Sequence, residues 1–305
     1  MSKILITGAS GFIGKRLVSA LNTEKNTLSA LSRSNIPGIE TVVCNLQFEK
    51  ISREALKGVD IVFHLAGIAH DSSSQEDQKE SKYIAVNFNA TKNLTNLAAK
   101  SGVKKFIFLS SVKAGGNIMS SHSMSESDQS KPDGIYGRTK REAELQVIKI
   151  GKQSKMHVSI IRSALVYGPS MKGNLYDMFT GIRKGWFPSL PKISNKRSMV
   201  HVDDVVKAML FVADDSRANG EIYIVTDGIP YSSRDIYEVM RELLGKSIPK
   251  WYVPKFFFSF LSIFSLSFRY KVTKLFEDSY YSSRKIESIG FKPQRTLREM
   301  NETSF

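Results

Sequence analysis

The chain has 305 residues, 41% hydrophobic and 24% charged, enough for one large core or two modest ones and too apolar for a disordered chain. Its single cysteine, Cys44, excludes an internal disulfide and reads as a small apolar filler; with no signal-peptide pattern at the start, a cytoplasmic protein is expected. The formal charge of +15 is scattered along the chain, so it reads as a solvated basic surface able to attract phosphates or an anionic membrane, and no nucleic-acid partner is expected.

Residues 3–7, KILIT, read as a strand, after which Ile13, Leu17, Val18 and Leu21 fall on one helical stripe. Further strands are expected at 27–31, 41–45 and 60–67. The spacing predicts a helix over 83–100 with Ala85, Phe88, Leu94 and Leu97 toward one side, stopped by Gly102 before a strand at 104–111. The alternation continues with a helix at 138–149, a strand at 157–163, a helix at 205–213 and a strand at 221–226. Strands separated by helices imply right-handed crossovers, and so an α/β fold with a Rossmann-type doubly wound parallel sheet. Residues 168–196 and those from 228 onward, rich in Gly, Pro and aromatics, do not extend the alternation and read as a smaller substrate-binding lobe. The expected division is 1–166 plus 199–227 for the sheet domain and 167–198 plus 228–305 for the lobe.

The stretch ILITGASGFIG spaces Gly8, Gly11 and Gly14 by three between the first strand and the first helix. In such a turn the glycines permit a tight bend, a close approach of pyrophosphate to backbone, and close helix packing, while the helix N-terminus attracts the phosphates. A dinucleotide fold that prefers NAD usually ends its second strand on a carboxylate; here Ser32 and Arg33 stand there, a pair able to hold a 2′-phosphate. NADP(H) is therefore favoured, with NAD(H) the alternative.

YGRTK puts Tyr136 and Lys140 one helical turn apart, so both project from one face. An ammonium beside a phenol is expected to stabilise the phenolate and lower its pKa toward a useful range. Ser111 ends the strand FIFLSS, where a hydroxyl reaches the cleft at the sheet's carboxyl edge. His64, in VFHLAG, reads as a hydrogen-bonded core residue and His201 with Asp203 as packing and helix-capping groups; no metal is expected.

Taken in order, TGASGFIG, HLAG, FLSS, YGRTK, VYGP and VHVDD resemble the extended short-chain dehydrogenase/reductase family of NAD(P)-dependent nucleotide-sugar epimerases, dehydratases and reductases, from Lys3 to about Pro293. The resemblance implies that Tyr136 exchanges the proton of a sugar hydroxyl or ketone, that Lys140 tunes it and holds the nicotinamide ribose, and that Ser111 hydrogen-bonds the reacting oxygen. It also implies cofactor contacts from Gly8, Ser10, Gly11, Phe12, Ile13 and Gly14, from Asn45 and Leu46 at the adenine, and from Leu65, Ala66 and Gly67 along the groove. Contacts to a UDP-sugar are implied for Ser111, Val112, Tyr167, Asn174, Leu175 and Arg197, and a homodimer is implied as the assembly.

Two reactions fit these residues, reduction of a 4-keto sugar and epimerisation at C4. FLSSVKAGG, YGRTKREAE, IIRSALVYGPSMKGN and RSMVHVDDVV are similar to reductases of O-antigen loci that form UDP-N-acetylquinovosamine, which favours reduction. A UDP-glucose or UDP-GlcNAc 4-epimerase is the alternative, and a non-catalytic NADP-binding scaffold the second. Ser163 and Leu165 stand where the family has Pro and Asn, leaving the sugar open. The segment WYVPKFFFSFLSIFSLSF falls outside these motifs. Its apolar core is too short to cross a bilayer, so a helix covering the lobe or a subunit interface is expected, with peripheral membrane contact through residues 251–274 the less favoured reading.

Overall fold

The computed structural model describes residues 2–69, 76–116, 122–132, 134–263 and 266–300. Met1, at the start of the expected sheet domain, Phe264 and Ser265 of the apolar segment, and residues 301–305 of the expected lobe lie outside the described residues.

The chain opens with β1 (Ser2–Thr7), α1 (Phe12–Leu21), β2 (Asn26–Ser32), β3 (Glu40–Val43) and β4 (Ile61–His64). There follow α2 (Glu76–Tyr83), α3 (Ala90–Lys100), β5 (Lys105–Ser111), α4 (Gly134–Ser154), β6 (His157–Ser163) and β7 (Leu165–Tyr167). Next come α5 (Asn174–Lys184), β8 (Arg197–His201), α6 (Val202–Asp214), β9 (Glu221–Val225) and β10 (Pro230–Tyr231). The remaining helices are α7 (Ser233–Leu243), α8 (Lys255–Leu261), α9 (Leu266–Phe276) and α10 (Arg284–Ser288).

Seven strands form one parallel sheet in the order β3-β2-β1-β4-β5-β6-β9. All seven strands expected from the sequence are in it. Because side chains alternate along a strand, Ile4 and Ile6 of β1 pack with α1 and α6 on one face while Leu5 packs with α3 and α4 on the other. Strand order reverses between β1 and β4, and at that switch point ligands of open α/β sheets bind. A second, three-stranded sheet, β10-β8-β7, shares a separate core with α5 and α7, including Tyr167, Met171, Leu175, Tyr237 and Met240. Strands of two, three and five residues are too short to announce themselves by periodicity.

Two expectations about buried faces are corrected. Leu94 is fully buried as expected, but Ala85, Phe88 and Leu97 are only partly so, and the inward face runs through Asn87, Thr91, Leu94, Thr95 and Ala98. The polar members bury without penalty because Thr91 Oγ1 donates to the Asn87 carbonyl (2.8 Å) and Thr95 Oγ1 to the Thr91 carbonyl (2.7 Å). A π-helical turn, Ile84–Asn89, joins α2 to α3 and offsets the register that an ideal helix would keep. The aromatic segment near residue 260 is likewise not one covering helix; it is divided between α8 and α9, and of the side chains described in α8 only Phe258 is buried.

Behind the sheet's carboxyl edge, Arg162 of β6 meets Glu144 of α4 in a bidentate pair (Nε to Oε1 2.9 Å, Nη2 to Oε2 2.6 Å), with both side chains at most 1% exposed. Ser110 Oγ also donates to Glu144 Oε1 (2.5 Å), so β5, β6 and α4 share one buried polar node. Arg162→Ala leaves the Glu144 carboxylate without its cation, and urea unfolding is expected to register a loss of about 3–5 kcal/mol; a loss under about 1 kcal/mol would show that the node is not structural.

Candidate active site

Gly8 takes a positive φ of 74°, and a Cβ there would sit 2.7 Å from the Ala66 amide nitrogen, so the turn after β1 lies against the loop after β4. A Cβ at Gly14 would come within 2.0 Å of the Gly8 carbonyl oxygen, which lets α1 start directly over the turn. Gly11 is its N-cap and has no side-chain capping bond, so the first-turn amides and the positive dipole end are left to an anion. Ser10 is exposed, and Phe12 and Ile13 are half-buried in the first turn of the same helix. A nucleotide's phosphates fit this cradle.

The loop after β4 holds Leu65, Ala66 and exposed Gly67. Thr7 Oγ1 accepts from the Ala66 amide (3.1 Å) and is bonded to His64 Nδ1 (2.6 Å), whose Nε2 reaches Thr91 Oγ1 (2.8 Å). Burial, reinforced by nearby Lys140, lowers the His64 pKa to about 3, so this histidine is neutral and structural, as its strand position suggested. Asn87 completes the loop's support, accepting from the Ile68 amide (2.7 Å) and donating to the Ile68 carbonyl (2.9 Å).

Ser111, Tyr136 and Lys140 are brought together at the same edge. Ser111 ends β5 and caps the turn Val112–Gly115 by accepting from the Lys113 amide (3.3 Å). Its hydroxyl lies near enough to the Tyr136 phenol to pull that group's pKa downward. Tyr136 lies in the first turn of α4, edge-on to Tyr83 with ring centroids 6.3 Å apart. One turn on, buried Lys140 donates from Nζ to the Leu109 carbonyl (2.7 Å), over the Phe108 ring at 4.0 Å, and Nζ is 3.9 Å from where a Gly67 side chain would begin.

The electrostatics correct one expectation. Burial, with smaller contributions from Tyr83 and Glu144, pushes the Tyr136 pKa up to about 12 against the opposing pull of the Ser111 hydrogen bond. Lys140 is itself depressed to about 7 by burial, which Glu144 only partly offsets. Desolvation, which sequence spacing cannot report, dominates both groups, so the phenol here is a protonated acid rather than a near-neutral phenolate.

The other expected site residues are spread more widely. Ser32 is half-buried at the end of β2, and exposed Arg33 has no ion pair among the described residues. Asn45 is turned into its own loop, its Oδ1 accepting from the Gln47 amide (3.1 Å), while Leu46 packs against the α3–α4 face. In the second lobe, exposed Asn174 begins α5, and half-buried Arg197 donates to Ser233 Oγ at 3.4 Å and lies in the field of Glu277. Tyr167 and Leu175, expected at the substrate, are 0% and 4% exposed. The Tyr167 hydroxyl donates to Asp227 Oδ2 (3.2 Å) and Leu175 packs in the lobe's core, so their side chains are withdrawn from any cleft. Val112 is 5% exposed and also belongs to a core.

His201 caps α6 by accepting from the Asp203 amide (3.2 Å), as its position suggested, and Asp203 ties α1 to α6 through Arg16 (Nε to Oδ1 2.7 Å). Sequence reasoning missed Thr7, Asn87, Thr91, Ser110 and Glu144. Glu144 could have been found, since it continues the four-residue step from Tyr136 through Lys140; Asn87 carried no such mark.

A parallel sheet with a glycine turn at its switch point and a Ser-Tyr-Lys cluster at its carboxyl edge defines a dinucleotide-binding fold with oxidoreductase-type side chains. Residues 4–226 match the model of the NAD dependent epimerase/dehydratase family. The chain belongs to that family, the extended short-chain dehydrogenase/reductases, and is an enzyme of its nucleotide-sugar epimerase/dehydratase type. It is 30% identical to a UDP-glucose 4-epimerase of Vibrio cholerae, over 97% of this chain and 92% of the relative. It is 27% identical to the N-acetyl-alpha-D-glucosaminyl-diphospho-ditrans,octacis-undecaprenol 4-epimerase of Escherichia coli O157:H7, over the same shares of the two chains, 97% and 92%. A solved structure of MoeE5 in complex with UDP-glucose and NAD superposes with a TM-score of 0.79 at 23% identity, covering 98% of this chain and 95% of that one.

Lys140 gives the fold a pH signature. In the unfolded chain the amine keeps its proton to about 10.5, whereas in the fold it releases it near 7, so across that window the unfolded state binds more protons and stability rises with pH. Relative to wild type, Lys140→Met should therefore be most stabilised at or below about pH 7 and lose that advantage toward about pH 10 in urea titrations. A difference that stays flat over this range rejects the depressed amine.

Proposed function

We propose that this enzyme reduces the 4-keto group of a UDP-4-keto-6-deoxy-N-acetylhexosamine, giving UDP-N-acetylquinovosamine or a related sugar, with NADP(H) as hydride carrier. The observation that supports it most is the nearness of the Ser111 hydroxyl to a Tyr136 phenol that desolvation holds at a pKa of about 12, in the same cluster as the Lys140 amine. The Gly8 turn and the Ala66 loop would hold a nicotinamide dinucleotide, which when bound would supply the hydride for C4. The residues handle the proton. Tyr136, protonated at neutral pH, donates it to the C4 oxygen, and Ser111 donates a hydrogen bond to the same oxygen as charge develops there. Hydride and proton together make the alcohol. Epimerisation first requires a base to take a proton from a hydroxyl, and a phenol held up at about 12 suits that step less well than it suits donation.

Unpaired, exposed Arg33 with Ser32 supports a 2′-phosphate and hence NADP(H). Half-buried Arg197, with one long hydrogen bond, is suited to the substrate's diphosphate, and Asn174 to its nucleotide. The runner-up is a UDP-glucose or UDP-GlcNAc 4-epimerase with NAD, favoured by the activity of the Vibrio cholerae relative and by the ligands of MoeE5.

The protein is to be incubated with UDP-4-keto-6-deoxy-GlcNAc and NADPH, and separately with UDP-GlcNAc and UDP-glucose without added cofactor, following products by NMR. Stoichiometric NADPH oxidation supports reduction; C4 epimers without net oxidation overturn it in favour of the runner-up. Tyr136→Phe is expected to lower kcat by about 10²–10⁴ while the dissociation constant for NADPH stays nearly unchanged. Arg33→Ala should weaken NADPH about tenfold or more and leave NADH binding alone; equal losses for both cofactors would reject the 2′-phosphate role.

A further inference from the structure

The aromatic segment is expected to cover the lobe or a subunit interface, and α8 carries two apolar faces. Phe258 is 6% exposed, packed edge-on to Phe276 with ring centroids 5.5 Å apart. Phe256, Phe257 and Phe260, exposed at 65%, 46% and 56%, fall within about 100° of one another on the opposite side of the helix. Ile263, just past the helix, is 76% exposed. The strap before α8 extends this surface: Trp251 is 65% exposed, and the Val253 amide donates to the Ser189 carbonyl (3.0 Å), laying the strap beside the segment that carries Trp186, 63% exposed. An apolar surface with two tryptophans and three phenylalanines facing outward calls for an occupant.

Charge selects it. From Leu244 to Phe276 the sequence has six Lys and Arg residues and no Asp or Glu. Lys246 is used on the carbonyls of Ile182 and Arg183, Lys271 faces Asp177 and Lys274 faces Glu277. Lys250, Lys255 and Arg269 are exposed and have no ion pair among the described residues. A second copy of the chain docked on this face would bring two such cationic rims together, whereas an anionic bilayer complements them and takes the aromatic rings at its interface. No helix among the described residues is long and apolar enough to cross a membrane, and α8 and α9 have seven and eleven residues.

We infer that α8, the strap before it and Arg269 of α9 form an interfacial docking surface for an anionic phospholipid bilayer, which holds the second lobe against the membrane. The aromatics insert at headgroup depth and the three lysine and arginine side chains meet lipid phosphates. The inference stands apart from the reaction proposed above, since its readout is binding.

The test is flotation of the full chain with vesicles of phosphatidylethanolamine and phosphatidylglycerol, and with vesicles of phosphatidylcholine alone. The protein is expected to float with the anionic vesicles at low salt, to be largely released by high salt, and to stay behind with the neutral ones. The variants Phe256→Ser/Phe257→Ser/Phe260→Ser and Lys250→Glu/Lys255→Glu/Arg269→Glu should each weaken binding about tenfold or more. Both should keep the wild-type thermal midpoint. No flotation with anionic vesicles, or undiminished flotation of the triple Phe variant, overturns the inference. So does a concentration-dependent dimer that the Phe variant loses while wild type ignores vesicles, an outcome that assigns the face to a second copy.

Discussion

A buried amine organises this site. Lys140 Nζ is anchored on the Leu109 carbonyl two residues before Ser111, which ties the start of α4 to the end of β5. That bond lies in the same cluster as the Tyr136 phenol and the Ser111 hydroxyl, and it leaves the amine close to the backbone of Gly67. An amine in such surroundings gives up part of its charge, and the fold supports it from below with the carboxylate of Glu144, four residues further along the same helix face. Glu144 is in turn balanced by Arg162 and bonded by Ser110, so the site rests on a node that reaches across two strands.

The sheet edge supplies the second half of the arrangement. Thr7, His64, Thr91 and Asn87 form a continuous hydrogen-bonded ladder from β1 through β4 to the α2–α3 helix, and it fixes the loop of Ala66 and Gly67 against the glycine turn. A satisfied buried ladder of this sort rigidifies a loop that exposed backbone alone would leave free. The cofactor cradle and the Ser-Tyr-Lys cluster are therefore two faces of one construction, joined where Lys140 approaches Gly67.

The second lobe divides its residues between structure and surface. Tyr167 and Tyr231 both donate to Asp227, and burial raises that carboxyl to about 6. Motif position alone would send Tyr167 to the substrate; the carboxylate beside it explains why its hydroxyl is occupied within the lobe. Asn174 stays exposed at the start of α5, and Arg197 is half-buried beside Ser233.

What the sequence determined by itself is local and periodic. The alternation of strands and helices, the glycine turn, the four-residue step from Tyr136 to Lys140 and the capping role of His201 are each written within a few consecutive residues, and each appears where periodicity or spacing put it. Tertiary structure alone decided which groups are desolvated and by whom. It set the protonation of Tyr136 and Lys140, turned Asn87 and Thr91 inward where an apolar pattern pointed elsewhere, and left Phe256 and Phe260 facing out of a segment apolar enough to be a core. The reason is physical: the cost of burying a charge or a ring depends on neighbours contributed by distant parts of the chain, and periodicity within one segment carries no record of them.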